Sequence, residues 1–73
     1  SAYPNPVSNF LNLSTDFPMN SIQVMSMDGK NVFSSFVADE QKITLNTSDW
    51  NSGLFILRIT SADKVKTVRI IKN

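Results

Sequence analysis

The sequence offers few side chains for catalysis or for metal binding. It contains no cysteine and no histidine, which removes the thiol nucleophile, the commonest general base and the usual ligands of zinc, copper and haem. The acidic residues are scattered between the apolar stretches: Asp16, Asp28, Asp39, Glu40, Asp49 and Asp63. Only Asp39 and Glu40 are adjacent, and one pair without repeated oxygen spacing is a weak calcium signal. We therefore expect no enzymatic activity, no metal site and no cofactor.

Length and charge restrict the possible partners. A chain of 73 residues forms one domain, and a domain of this size buries only about 60% of the surface that its unfolded chain exposes. A net charge of +1 with 18% charged residues predicts no binding to nucleic acid and no strong attraction to anionic membranes. The longest apolar stretch is too short to insert in a bilayer, and the start does not resemble a signal peptide. Because the chain opens without methionine, we expect it to be part of a longer protein whose export signal lies upstream.

The longest apolar run, residues 53–60, predicts the strand around which the others are arranged. Apolar side chains fall on both of its faces, with Leu54 and Ile56 on one and Phe55, Leu57 and Ile59 on the other. Such a run, bounded by turn-forming residues, is typical of a strand buried on both faces.

Shorter alternating stretches surround this central strand. Residues 21–27 and 31–37 flank Asp28-Gly29-Lys30, and Asp-Gly between alternating runs predicts a hairpin because a primed turn needs positive φ. Residues 7–14, 42–46 and 65–72 also alternate, with Val68 and Ile70 predicted to point inward. Residues 15–20 and 38–41 are predicted as a turn and a polar connector, and Phe17 as a plug at one end of the core. The pattern predicts an all-β fold, an antiparallel β-sandwich of about seven strands.

Five short motifs, in this order and spacing, resemble one known family. They are Tyr3-Pro4-Asn5-Pro6, Asp28-Gly29-Lys30-Asn31-Val32, Ile43-Thr44-Leu45, Gly53-Leu54-Phe55-Ile56-Leu57-Arg58-Ile59 and Lys66-Thr67-Val68-Arg69-Ile70-Ile71-Lys72. Together they cover nearly the whole chain, which resembles the type A C-terminal sorting domain of the Bacteroidota type IX secretion system. Phe55 stands where tyrosine is frequent in that family, and Asn73 follows the last basic residue.

The resemblance implies a function as an address for secretion. It implies a single C-terminal sorting domain over residues 1–73, with residues 1–6 as a stiff lead-in from an N-terminally fused cargo and 7–73 as an immunoglobulin-like sandwich. It implies recognition by the type IX translocon and an outer-membrane shuttle protein, and removal by a cell-surface sortase at a point before the domain. The protein is then expected to be periplasmic in transit and afterwards at the cell surface or secreted.

Several residues are candidates for recognition of these partners. They are Tyr3, Pro4, Asn5, Pro6, Asp28, Gly29, Lys30, Gly53, Lys66, Arg69, Ile70, Ile71 and Lys72. The proline-rich segment is a recognition element or a plain linker, whereas Asp28-Gly29-Lys30 is more simply a turn chosen for its backbone geometry. Four of the seven basic residues lie in the last ten positions. They either protect an edge strand from pairing with other chains or serve recognition at an exposed edge that suits a receptor strand.

A different class of function remains open. An immunoglobulin-like adhesive module that binds a ligand or a carbohydrate could stack a sugar ring on Trp50, with Tyr3 beside it. We favour Trp50 as a plug over one end of the core, since tryptophan is usually mostly buried.

Overall fold

Alternation of apolar and polar residues produces an all-β structure, as predicted, in the part of the chain that the computed structural model describes, residues 2–73. Its strands are β1 (Ala2–Tyr3), β2 (Phe10–Ser26), β3 (Asn31–Asn46), β4 (Gly53–Thr60) and β5 (Val65–Lys72). They form one curled sheet in the order β1-β2-β4-β5, and β3 also pairs with β2. All the strand pairs are antiparallel.

The two long strands, β2 and β3, explain why the strand count differs from the prediction. Their register has two regular stretches, residues 10–14 against 42–46 and residues 21–24 against 33–36, with shifts between Ser14 and Met19. The strands continue through residues 15–20 and 38–41, so the predicted turn and connector are not separate segments. The register shifts between Ser14 and Ser21 do confirm that residues 15–20, rich in turn formers, interrupt the regular pairing. Asp39 has a positive φ of 54° at this irregularity. The antiparallel all-β class is confirmed, but the immunoglobulin-like sandwich of about seven strands is not.

Strand β4 lies between β2 and β5, which confirms that residues 53–60 form a central strand. Phe55, Leu57 and Ile59 on its inner face are buried, whereas Leu54 and Ile56 on the outer face are only half-buried. The prediction that both faces are buried is therefore wrong. The outer side chains are covered only by their neighbours within the sheet, and a single curled sheet can enclose only its concave face.

The core collects inward side chains from β2, β3, β4 and β5 and from the segment before β2. Its members are Val7, Leu11, Leu13, Met19, Ile22, Val24, Leu45, Phe55, Leu57, Ile59 and Ile70. Burial of one such side chain contributes about 1.5–3 kcal/mol. Phe17, Val68 and Trp50 are partly buried against this core, as predicted, and the Trp50 ring lies 5.1 Å from that of Phe55.

The position of the Asp-Gly hairpin is confirmed, because β2 ends at Ser26 and β3 begins at Asn31. The predicted primed turn is wrong, because Gly29 has a positive φ but Asp28 does not. Gly29 has a φ of 86°, a left-handed conformation that glycine adopts without steric cost. The Gly29 N–H donates to the Ser26 carbonyl over 3.0 Å. The local turn chemistry therefore sets the hairpin where the sequence places it.

A candidate recognition site where the two ends of the chain meet

The side chain of Asn5 forms hydrogen bonds to β5 of the kind that a neighbouring strand would form with its backbone. Its Nδ2 donates a hydrogen bond of 3.1 Å to the Arg69 carbonyl, and its Oδ1 accepts one of 2.9 Å from the Ile71 N–H. Both partners belong to β5, on the edge away from β4. One carboxamide therefore satisfies a donor and an acceptor that an edge strand would otherwise expose to water.

Val7 continues this pairing with its backbone. Its N–H donates to the Ile71 carbonyl over 2.7 Å, and its carbonyl accepts from the Asn73 N–H over 2.9 Å. This is a parallel bridge between Val7 and Lys72. The Val7 side chain is fully buried and anchors the segment in the core. We call residues 5–7 the N-terminal clasp.

Thr47 holds the chain just after the clasp. It is fully buried, its N–H donates to the Asn9 carbonyl over 2.7 Å, and its hydroxyl donates to the Ser8 carbonyl over 3.2 Å. Asn73 adds a side-chain bond to the Ser8 hydroxyl over 3.0 Å. No local sequence signal indicates this role for Thr47, because it lies in a polar loop.

The clasp divides the outer edge of β5 into a covered part and an open part. Residues 69, 71 and 73 direct backbone groups to residues 5–7. Successive residues of a strand direct their backbone N–H and C=O groups to opposite edges. Residues 65 and 67 therefore direct theirs to the same edge as residues 69, 71 and 73, but beyond the reach of the clasp. The prediction of an exposed terminal edge therefore holds for the first half of β5 and is wrong for the second half, where the chain's own N-terminal segment covers it.

The candidate residues of β5 have different environments. Lys66 and Arg69 are exposed, and Lys72 is half-buried beside its cross-strand partner Gly53. Ile71 is 48% exposed, whereas Ile70 is fully buried. Ile70 therefore supports the core, and the other four side chains are accessible to a partner.

The hairpin tip forms a second group of candidates. The Asp28 carboxylate accepts hydrogen bonds from the Ser26 hydroxyl and, over 3.4 Å, from the Lys30 N–H. The Ser26 bond first, and the Lys30 N–H next, hold the pKa of Asp28 below its ordinary value of 3.8, because both donors favour the charged carboxylate. These contacts are within the turn, which agrees with a role in backbone geometry.

A shallow groove of about 540 Å³ connects the hairpin tip to the start of β4. Asp28, Lys30, Trp50 and Gly53 are among the residues that line it. Gly53 has a φ of 139° and also pairs with Lys72, so it links this groove to the end of β5.

The proline-rich segment does not act as one surface. Tyr3 is 54% exposed and lines a separate hollow beside Asn12 and Lys42. Pro4 and Pro6 are exposed, and both of their preceding peptide bonds are cis. The structure thus brings Asn5 to Arg69 and Ile71, and leaves Tyr3 beside β2.

Trp50 packs against the core in place of standing free for a sugar ring. Within residues 2–73, no group of three acidic side chains could hold a metal ion, and no helix could cross a membrane.

A family model described as the secretion system C-terminal sorting domain matches residues 1–73, the whole chain. No curated protein matches it.

Proposed function

This chain belongs to the family of secretion system C-terminal sorting domains, and we propose that the type IX machinery recognises it as a folded domain. Its function is that of a C-terminal type IX secretion sorting signal, which directs a protein fused to its N-terminus toward the cell surface or the medium. The match over residues 1–73 is the observation that carries this conclusion. The alternative of a carbohydrate-binding adhesive module has no support.

The partners we propose are the type IX translocon, an outer-membrane shuttle protein and a sortase. The domain passes through the periplasm as a folded unit and takes no part in catalysis. Two features support recognition of the folded state. The core draws on segments from Val7 to Ile70, and the last strand is completed by the clasp only when the two ends of the chain have met.

The proposed recognition surface is β5 together with the N-terminal clasp. Lys66, Arg69, Ile71 and Lys72 are accessible there, and the open edge at residues 65 and 67 can accept a strand from a partner. The clasp follows directly on β1, which pairs with β2 through Ala2 and Leu13. This pairing holds Ala2, the first described residue, at a fixed place on the sheet, and a sortase that cuts before the domain would act near it.

Export of a reporter tests this function. Residues 2–73 are fused to the C-terminus of a periplasm-directed fluorescent protein, and the fusion is expressed in a host with a working type IX system and in one without its translocon. We expect the reporter outside the cell only in the first host, and the same reporter without the domain in the periplasm of both. A folded fusion that stays periplasmic in both hosts would overturn the proposal.

Charge reversal in the same reporter tests the recognition surface. Lys66→Glu and Lys72→Glu should lower export, whereas Lys42→Glu is the matched control because Lys42 is an exposed lysine on β3, away from β5. Equal export of the three variants would remove β5 from the recognition surface while leaving the sorting function intact.

A further inference from the structure

The outer face of β4 and β5 is an unpartnered sheet face with a defined register. Ile56 lies opposite Arg69 and Arg58 lies opposite Thr67. On the other side of β4, Ile56 lies opposite Met25 and Arg58 opposite Gln23. Cross-strand partners share a face, so these six side chains form one continuous surface, the arginine face.

Two arginines carry all the charge of this face. Arg58 and Arg69 are exposed and are diagonal neighbours on adjacent strands, which places their Cβ atoms roughly 7–8 Å apart. Neither guanidinium has an ion pair or a hydrogen bond to residues 2–73. The acidic residues all lie outside β4, β5 and residues 21–26, so nothing on the arginine face neutralises the pair.

The neighbours of the two arginines make the face amphipathic. Met25 and Ile56 are half-buried beside them, and Ile71 extends the aliphatic surface at the edge. Apolar neighbours exclude water from a docked partner, which strengthens the electrostatic interactions at the contact. A guanidinium binds a carboxylate through two parallel hydrogen bonds, so it also fixes the orientation of that partner.

We propose that the arginine face docks an acidic protein surface, one that presents two carboxylates beside aliphatic side chains. This inference rests on the proposed function, because the partner would be a protein of the type IX machinery. A protein fits better than nucleic acid, since charge-driven binding to nucleic acid depends on many phosphate contacts and this face offers only two cations. It also fits better than an anionic membrane, because two basic residues give only a weak attraction to the membrane surface.

The first test uses the fluorescent reporter in the competent host. Arg58→Glu/Arg69→Glu should lower export roughly tenfold or more, because each reversed charge would repel a carboxylate at the interface. Lys42→Glu changes an exposed lysine on β3, outside the arginine face, and should leave export near that of the unchanged domain. Arg58→Gln/Arg69→Gln, which adds no repulsion, should give an intermediate loss and replaces the first variant if a melting curve shows that the first does not fold.

The second test identifies the chemistry of the partner. A photo-crosslinking amino acid in place of Thr67, between the arginines, should join the domain to a type IX protein at a site that contains two carboxylates. Changing those carboxylates to lysine should restore export of Arg58→Glu/Arg69→Glu. Crosslinking to lipid or polysaccharide, or failure of the charge exchange to restore export, would overturn the inference.

The outcomes separate this inference from the proposed function. If the unchanged reporter leaves the cell only in the competent host and the folded arginine variants leave equally well, the sorting function stands and the arginine face has no role. If the unchanged reporter is not exported at all, both fail.

Discussion

Replacing Asn5 with alanine removes the side chain that completes the covered edge of β5. The two hydrogen bonds that are lost join Nδ2 to the Arg69 carbonyl at 3.1 Å and Oδ1 to the Ile71 N–H at 2.9 Å. They link positions that are 64 and 66 residues apart in sequence. The change leaves the buried side chain of Val7 in place, so it tests the carboxamide and not the core.

The expected loss of stability follows from the exposure of these bonds. A hydrogen bond contributes about 0.5–1.5 kcal/mol net, and both bonds here are exposed, so water can replace the lost partners. We therefore expect a decrease of about 1–2 kcal/mol in the free energy of unfolding for the pair. In a domain of this size each kcal/mol shifts Tm by about 4–8 °C, which predicts a Tm lower by roughly 5–15 °C.

Thermal unfolding and amide hydrogen exchange provide the assay. The Ile71 N–H points away from β4 and donates to Oδ1 of Asn5. Its proton should therefore exchange with solvent faster in Asn5→Ala. Asn51→Ala is the matched control, because Asn51 is an exposed asparagine with no hydrogen bond from its side chain to residues 2–73. If Asn5→Ala and Asn51→Ala have the same Tm and Ile71 keeps its protection, the clasp does not stabilise β5 and the reasoning is refuted.

Three further predictions concern the core and the hairpin. Leu57→Ala, at a fully buried side chain, should lower the free energy of unfolding, measured by denaturant titration, by about 2–5 kcal/mol. Ile71→Ala, at a 48% exposed side chain, should lower it clearly less. Equal losses in the two variants would contradict the assigned core. Gly29→Ala should cost about 1–2 kcal/mol through its φ of 86° alone, since no atom lies within 4 Å of an added Cβ; an unchanged melting curve would argue against this turn. The Asp28 carboxyl should titrate below pH 3.8 by NMR, and Ser26→Ala should raise its pKa toward that value. Because the folded-state pKa is lowered, the contribution of Asp28 to stability is present above the unfolded-state pKa and is lost as pH falls through the folded-state pKa. An Asp28 pKa of 3.8 in the unchanged protein, or the same lowered pKa in Ser26→Ala, would contradict the hydrogen bond.

The sequence predicted those features that depend on neighbouring residues. The hairpin followed from Asp28-Gly29, because its turn needs a positive φ that few residues tolerate. The inward positions of Val68 and Ile70 followed from the period of two along a strand. Trp50 and Phe17 were assigned to the ends of the core because large aromatic side chains in small domains need burial.

Features that depend on distant pairing were missed or predicted wrongly. Residues 15–20 are rich in turn formers, yet they form no separate turn: they are the irregular part of β2, where its register with β3 shifts. The outer face of β4 reads as apolar, but no local pattern shows whether another layer covers it. The clasp depends on contacts between residues 5–7 and residues 69–73, which are far apart in the sequence. The spacing of Pro4 and Pro6 predicts a stiff segment but does not indicate which strand that segment contacts. No local pattern singles out Arg58, because its place beside Arg69 depends on the register of β4 and β5.

The central claim is that residues 2–73 alone direct an attached protein out of the cell through the type IX system. The most direct measurement is the fraction of reporter outside the cell in hosts with and without the translocon, made with a fusion whose domain is shown to be folded. The account predicts reporter outside the cell only where the translocon is present. Equal retention of a folded fusion in both hosts, or equal release from both, would contradict it.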